Sequence, residues 1–110
     1  MPTDINEISV VNNEAKNQFE MHLNGKVAFL EYQRSEGRIV YLQTVVPQAL
    51  DDRGIAARLV RHALDNARAW DLKVVSKCPF VTSFMVRHRE YMELLEPRAV
   101  PAPKVVAPRA

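Results

Sequence analysis

Thr44-Val45-Val46-Pro47-Gln48-Ala49-Leu50-Asp51-Asp52-Arg53-Gly54-Ile55-Ala56-Ala57 decides the fold, because the repeat of apolar residues changes inside it. Upstream, Arg38 to Val46 reads as a long strand stopped by Pro47. Downstream, Ile55, Ala56, Leu59, Val60, Ala63, Leu64 and Ala67 recur at intervals of three and four, with Arg58, Arg61, Asp65 and Arg68 opposite. That spacing predicts an amphipathic helix of about four turns over 53–70. Leu72-Lys73-Val74-Val75-Ser76 follows at once as a short strand. A strand, a helix and a strand so closely linked favour a right-handed crossover with parallel pairing.

Working back toward the N-terminus, the chain reads as strands joined by tight turns. Ile8 to Val11 is a short apolar run, and Gln18 to Leu23 alternates polar with apolar, the period of a half-buried strand. Asn24-Gly25 is a strong hairpin signal, since both turn positions favour positive φ. Lys26 to Tyr32 is the return strand, and Ser35-Glu36-Gly37 makes the next turn into Arg38. An antiparallel meander results. Working forward, Pro79 suits the first position of a helix, which Phe80 to Glu93 would continue with a bend near His88. The expected class is α+β, in the order β-β-β-β-α-β-α. From Glu96 the chain turns rich in Pro, Ala and Val, the composition of a disordered or extended tail.

Composition narrows the function classes. The 110 residues fit one domain. A single cysteine, Cys78, allows neither an internal disulfide nor a multi-cysteine zinc site and suits a reducing cytoplasm. Met1-Pro2-Thr3-Asp4 does not open a secretory signal, and no apolar run approaches the roughly 18 residues of a membrane helix. Of the 15 basic residues, Arg98, Lys104 and Arg109 fall after Pro97 with no acid among them. The rest is therefore close to neutral against 13 acids, a poor footprint for nucleic acid. No metal site is expected, with His22 and His62 far apart and lacking further ligands.

The turn into the long helix carries the clearest chemistry. A helix start offers N–H groups without partners and the positive end of the dipole. Gly54 lets another group approach the backbone, and Ala56 and Ala57 keep the surface low, which suits an anion. The plainer reading is that Asp51 or Asp52 caps the helix and Gly54 serves the loop. Cys78, between a strand end and a helix start, is a candidate for thiol chemistry or a small packing residue. His88 and Tyr91 are weaker candidates for acid–base work, three residues apart on the last helix.

The run Val46-Pro47 through Arg53-Gly54-Ile55-Ala56 and Leu59-Val60, then Leu72 to Val75, Cys78-Pro79-Phe80-Val81, and finally Arg87-His88 with Glu90-Tyr91, resembles the compact YjdJ-type branch of the GNAT superfamily of N-acetyltransferases. Asn24-Gly25-Lys26-Val27-Ala28 and Tyr32 fit the same pattern. The resemblance implies a GNAT-like domain over residues 1–95, with 96–110 as a flexible Pro/Ala-rich tail. It implies that the fourth strand bulges and splays from the fifth, with acetyl-coenzyme A in the gap as cosubstrate and no metal. Thr44, Val45 and Val46 would meet the pantetheine arm, and Arg53, Gly54, Ile55, Ala56 and Ala57 the pyrophosphate. The implied reaction is acetyl transfer to an amine by direct attack, with Cys78 as the assisting side chain. The acceptor would be a small molecule or a protein, and the enzyme a cytoplasmic monomer or weak dimer that binds neither nucleic acid nor membrane. Two departures favour the alternative of a non-catalytic acyl-coenzyme A-binding or adaptor domain. Asp51 stands where the signature usually has Arg or Gln, and Gln43-Thr44-Val45 stands where relatives often show His-Thr-Glu.

Overall fold

The computed structural model describes residues 9–48 and 54–96. Five strands form one sheet in sequence order: β1 (Val11–Asn13), β2 (Gln18–Leu23), β3 (Lys26–Ser35), β4 (Arg38–Val45) and β5 (Lys73–Ser76). The first four pair antiparallel, and β5 lies parallel to β4. Helix α1 (Ile55–Ala69) makes the crossover, and α2 (Pro79–Arg87) follows β5. The class and element order expected from the sequence are thus present.

Local chemistry accounts for each turn. The β2–β3 hairpin closes on Asn24 and Gly25, with φ of 53° and 76°, the two positive values its twist requires. At the next turn Gly37 takes φ 77°. β1 covers Val11–Asn13, pairing Val11 with Glu20 and Asn13 with Gln18; of the expected Ile8–Val11 run, Ser9 and Val10 fall before it and Ile8 lies outside the described residues.

The core lies between one sheet face and α1. Ile55, Leu59, Val60, Ala63, Leu64 and Ala67 are fully buried along the helix, facing Phe19, Met21, Leu30, Ile39 and Tyr41 from the strands. Each large aliphatic side chain contributes about 1.5–3 kcal/mol by leaving water. Tyr41 donates its buried hydroxyl to the Ala63 carbonyl at 2.6 Å, tying β4 to the middle of α1. Burial pushes that phenol far above its ordinary range.

The last helix is broken. α2 stops at Arg87, His88 takes φ −123° and ψ 78°, and residues Arg89–Leu94 continue as a 3-10 segment. The break lets the His88 ring stack on Phe84 at 4.1 Å while Tyr91 turns into the core. A single helix to Glu93 would have placed both differently. At the far end, Leu95 bridges Val74, and Glu96 donates its N–H to the Val74 carbonyl at 2.9 Å.

Candidate functional site

β4 and β5 separate partway along. Their parallel register runs from Arg38 opposite Lys73 to Tyr41 opposite Ser76. One further bond joins Lys77 N–H to the Tyr41 carbonyl at 2.9 Å. β4 then continues through Leu42–Val45 with no β5 partner, while the chain at Cys78 turns into α2.

The sequence places an irregularity at this branch point. On the other side of β4, Glu31 faces Gln43 and Tyr32 faces Tyr41. Leu42 is therefore an extra residue, a bulge that bends the strand where its parallel partner leaves. The two chains part there, leaving a gap in the backbone pairing with Leu42–Val45 on one side and Lys77 and Cys78 on the other. The Thr44 hydroxyl and the Cys78 thiol meet across it at 3.4 Å. Cys78 is the residue before α2, with Pro79 opening the helix. Its carbonyl accepts from Thr82 N–H at 3.0 Å and from the Ser76 hydroxyl at 3.1 Å, so the backbone there is held firmly. Cys78 as a whole residue is 3% exposed.

α1 starts beside the open end of β4. Its N-cap is Gly54 in the left-handed region, φ 72°, with no capping side chain and no acid in the first turn. Arg58 N–H makes the first bond back, to the Gly54 carbonyl at 3.1 Å. Helix geometry leaves the N–H groups of Ile55, Ala56 and Ala57 without intrahelical acceptors. The Ile55 side chain is buried in the core, Ala56 and Ala57 are half-buried, and Gly54 is exposed. Arg53 and the candidate caps Asp51 and Asp52 lie outside the described residues. The helix begins two residues later than the periodicity predicts, and glycine occupies the cap.

The structure thus brings Thr44 and Cys78 into contact and puts Val45 and Val46 on the same end of the sheet as Gly54, Ile55, Ala56 and Ala57. It takes Tyr91 and His88 elsewhere. Tyr91 donates to Asp65 at 2.8 Å, and burial, then the Asp65 carboxylate, holds its phenol above the ordinary range. Asp65 is 11 residues past Gly54, about 16 Å down the helix. Tyr91 therefore belongs to the packing of the 3-10 segment on α1. Arg61 and Arg68, on the polar side of α1, are exposed, and each lies over an aromatic ring. Arg61 lies over the Phe84 ring at 5.4 Å, and Arg68 lies over Tyr91 at 5.2 Å while pairing with Glu93 at 3.1 Å.

Glu31, Phe80 and Glu20 are not among the site residues singled out by sequence. Glu31 accepts from Gln43 at 2.9 Å, directly beside the bulge. Val45 and Phe80, next in sequence to Thr44 and two residues past Cys78, are 37% and 36% exposed, large apolar groups open to solvent. Further off, Glu20 is 6% exposed and accepts from Gln18, Asn13 and His22 at 2.6, 2.9 and 2.8 Å. The Gln18 amide above all, then His22 and Asn13, holds its carboxyl below the usual range against the opposing effect of burial. Among the described residues no group of three or more His, Cys, Asp or Glu could hold a metal ion, and no helix is long and apolar enough to cross a membrane.

A forked pair of parallel strands, a bulge at the fork and a helix start beside it can be set against known proteins. Residues 18–94 match the model of a family described as GCN5-related N-acetyl-transferase. The chain belongs to that family. Animal proteins named NATD1 are also similar to it. Those of Mus musculus and Gallus gallus are 37% identical over 95 residues, covering 82% of this chain and 86% of theirs. That of Homo sapiens is 37% identical over the same length and is covered to 84%. The five-stranded sheet with β4 and β5 parallel is a small GNAT-like α+β fold.

Proposed function

We propose that this GNAT-family chain binds acetyl-coenzyme A in the β4–β5 gap and transfers the acetyl group to an amine. The observation that carries the reading is the fork itself. Past Tyr41 and Lys77 the two strands stop pairing, and the gap ends beside the N-terminus of α1. A pyrophosphate suits that end, where the N–H groups of Ile55, Ala56 and Ala57 and the dipole offer positive charge beside Gly54. Arg53 adds a cation in the same stretch of sequence. The backbone of Thr44, Val45 and Val46 is the natural track for the amide-bearing pantetheine arm, and exposed Val45 and Phe80 suit its apolar portions.

Transfer proceeds by direct attack. The acceptor nitrogen, neutral at the moment of reaction, adds to the thioester carbonyl; the C–S bond breaks, and coenzyme A leaves as a thiolate that must gain a proton. Cys78 is the side chain best placed to assist, since its thiol already touches Thr44 across the gap. The acceptor is a small-molecule or protein amine, and the setting is the cytoplasm.

One observation favours the second reading, a domain that binds the acyl thioester without turning it over. The free part of β4, Leu42-Gln43-Thr44-Val45, carries no ionisable side chain to take the acceptor's proton. Incubation with labelled acetyl-coenzyme A and a panel of amines separates the two. Acetylated amine forming well above the buffer rate supports the transferase. Saturable binding with the thioester intact supports the adaptor, and no binding at all refutes both.

A further inference from the structure

Among the described residues, both helices pack on one face of the sheet. α1 and α2 send their buried side chains into a single core with Phe19, Met21, Leu30, Ile39 and Tyr41. Successive side chains of a strand point opposite ways, so the residues between these lie on the second face. There the apolar side chains are only half-buried at Val27, Phe29, Val40 and Val75, and Val45 is exposed.

Two cross-strand rows of this second face end on the unpaired part of β4. In one, Gln18 lies opposite Glu31, and Glu31 opposite Gln43. In the next, Glu20 lies opposite Phe29, and Phe29 opposite Val45. The rows hold two carboxylates that are not equivalent. Glu20 is buried and accepts from Gln18, Asn13 and His22. Glu31 is half-buried and accepts from the Gln43 side-chain amide alone among the described residues. An ionised carboxylate offers about four lone-pair sites, so most of the capacity of Glu31 is unused. No described cation pairs with it.

The nitrogen that attacks a thioester must be neutral. A carboxylate that recognises the acceptor's charge therefore belongs beside the reacting position and not at it. Glu31 meets that condition: β3 lies one strand spacing, about 4.8 Å, from β4, and the gap opens along the other edge of β4. The separation from the gap is on the order of 5–10 Å, which a short alkyl chain between two nitrogens spans. Phe29 and Val45, in the adjoining row, offer apolar surface to its methylene groups.

We propose that the acceptor is a diamine or polyamine lying across this face, its reacting nitrogen in the gap and a second, charged nitrogen held by Glu31. Gln43 positions the carboxylate by donating to it. The place of the reacting nitrogen rests on the acetyltransferase reading; the hold on the charged one does not.

Steady-state kinetics with acetyl-coenzyme A, comparing spermidine with propylamine, tests the second contact. Glu31→Gln should raise the KM for spermidine about tenfold, the scale of one charge-assisted hydrogen bond, with kcat nearly unchanged. The KM for propylamine, which has no second nitrogen, should stay the same, and Glu31→Asp should recover part of the loss. Equal changes for both amines, or none for spermidine, would overturn the proposal. If neither amine is acetylated, the transferase reading fails on its own, and a titration without turnover decides the site. Spermidine added to the isotopically labelled chain should shift the Gln43 side-chain amide saturably, and Glu31→Gln should abolish that shift. A Gln43 amide that stays still, or shifts equally in the variant, would contradict it.

Discussion

The two halves of β4 differ in what holds them. From Arg38 to Tyr41 the strand is paired on both sides, and Ile39 and Tyr41 are fully buried under α1. From Leu42 to Val45 it is paired on one side only, carries a bulge, and ends with Val45 exposed. The first half is built for stability and the second for access. Among the described residues, the side-chain link across the open half is a 3.4 Å contact between a hydroxyl and a thiol, weak enough to yield to a ligand. Substitutions in the first half should therefore cost folding free energy and leave the gap intact, and those in the second should do the reverse.

The largest expected effect lies under the closed half. Leu59→Ala removes a fully buried side chain from the α1 face and should cost about 3 kcal/mol in urea unfolding. A loss below about 1 kcal/mol would mean that the helix does not bear on the sheet as described. At the boundary, Gly54→Val forces a β-branched residue into φ 72° and should cost about 1–2 kcal/mol. It should also weaken acetyl-coenzyme A by about tenfold or more in calorimetry, whereas Leu59→Ala, once folded, should bind almost normally.

The smaller effects are electrostatic and local. His62 is half-buried on α1 with its ring edge against Phe19 at 5.5 Å. Burial holds its pKa below the ordinary 6.5. The unfolded chain then binds a proton more readily than the folded one, so stability should be unaffected at high pH and fall as pH drops through 6.5, levelling off below the folded value. Denaturation midpoints across that range should flatten in His62→Gln. Glu20 has the opposite place in the titration: its carboxyl is stabilised as the anion, so its contribution is present above 4.5 and is lost as pH falls through the lower folded value. Glu20→Gln should cost about 1 kcal/mol at neutral pH and remove that acid dependence. Least of all in stability, Thr44→Val should shift unfolding by under about 0.5 kcal/mol yet change the alkylation rate of Cys78, since it removes the thiol's partner across the gap. An unchanged rate would show that the contact does not control the thiol.

Much of the closed half was legible in the sequence because burial imposes a period. The three-and-four spacing from Ile55 to Ala67 names the buried residues of α1, and Asn24-Gly25 names its hairpin. The open half was less legible. The extra residue at Leu42 is apolar within an apolar run and carries no local signal; it shows only in the pairing with Glu31 and Tyr32. Glu20 reads as a solvent-facing position of an alternating strand, and its burial depends on three donors, one of them seven residues away. The break at His88, which lets its ring stack on Phe84, was expressed by spacing alone only as a bend. Cys78 was placed correctly at the strand end, but not its contact with Thr44, 34 residues earlier.

The account depends most on the amides that open α1 being reached by a ligand phosphate. Titration of the isotopically labelled chain with coenzyme A, read at the backbone amides of Ile55, Ala56 and Ala57, tests this directly. Saturable shifts at these three, together with Thr44–Val46 and with little movement in Arg38–Tyr41, are the predicted result. Saturation elsewhere on the chain while these amides stay still would contradict it.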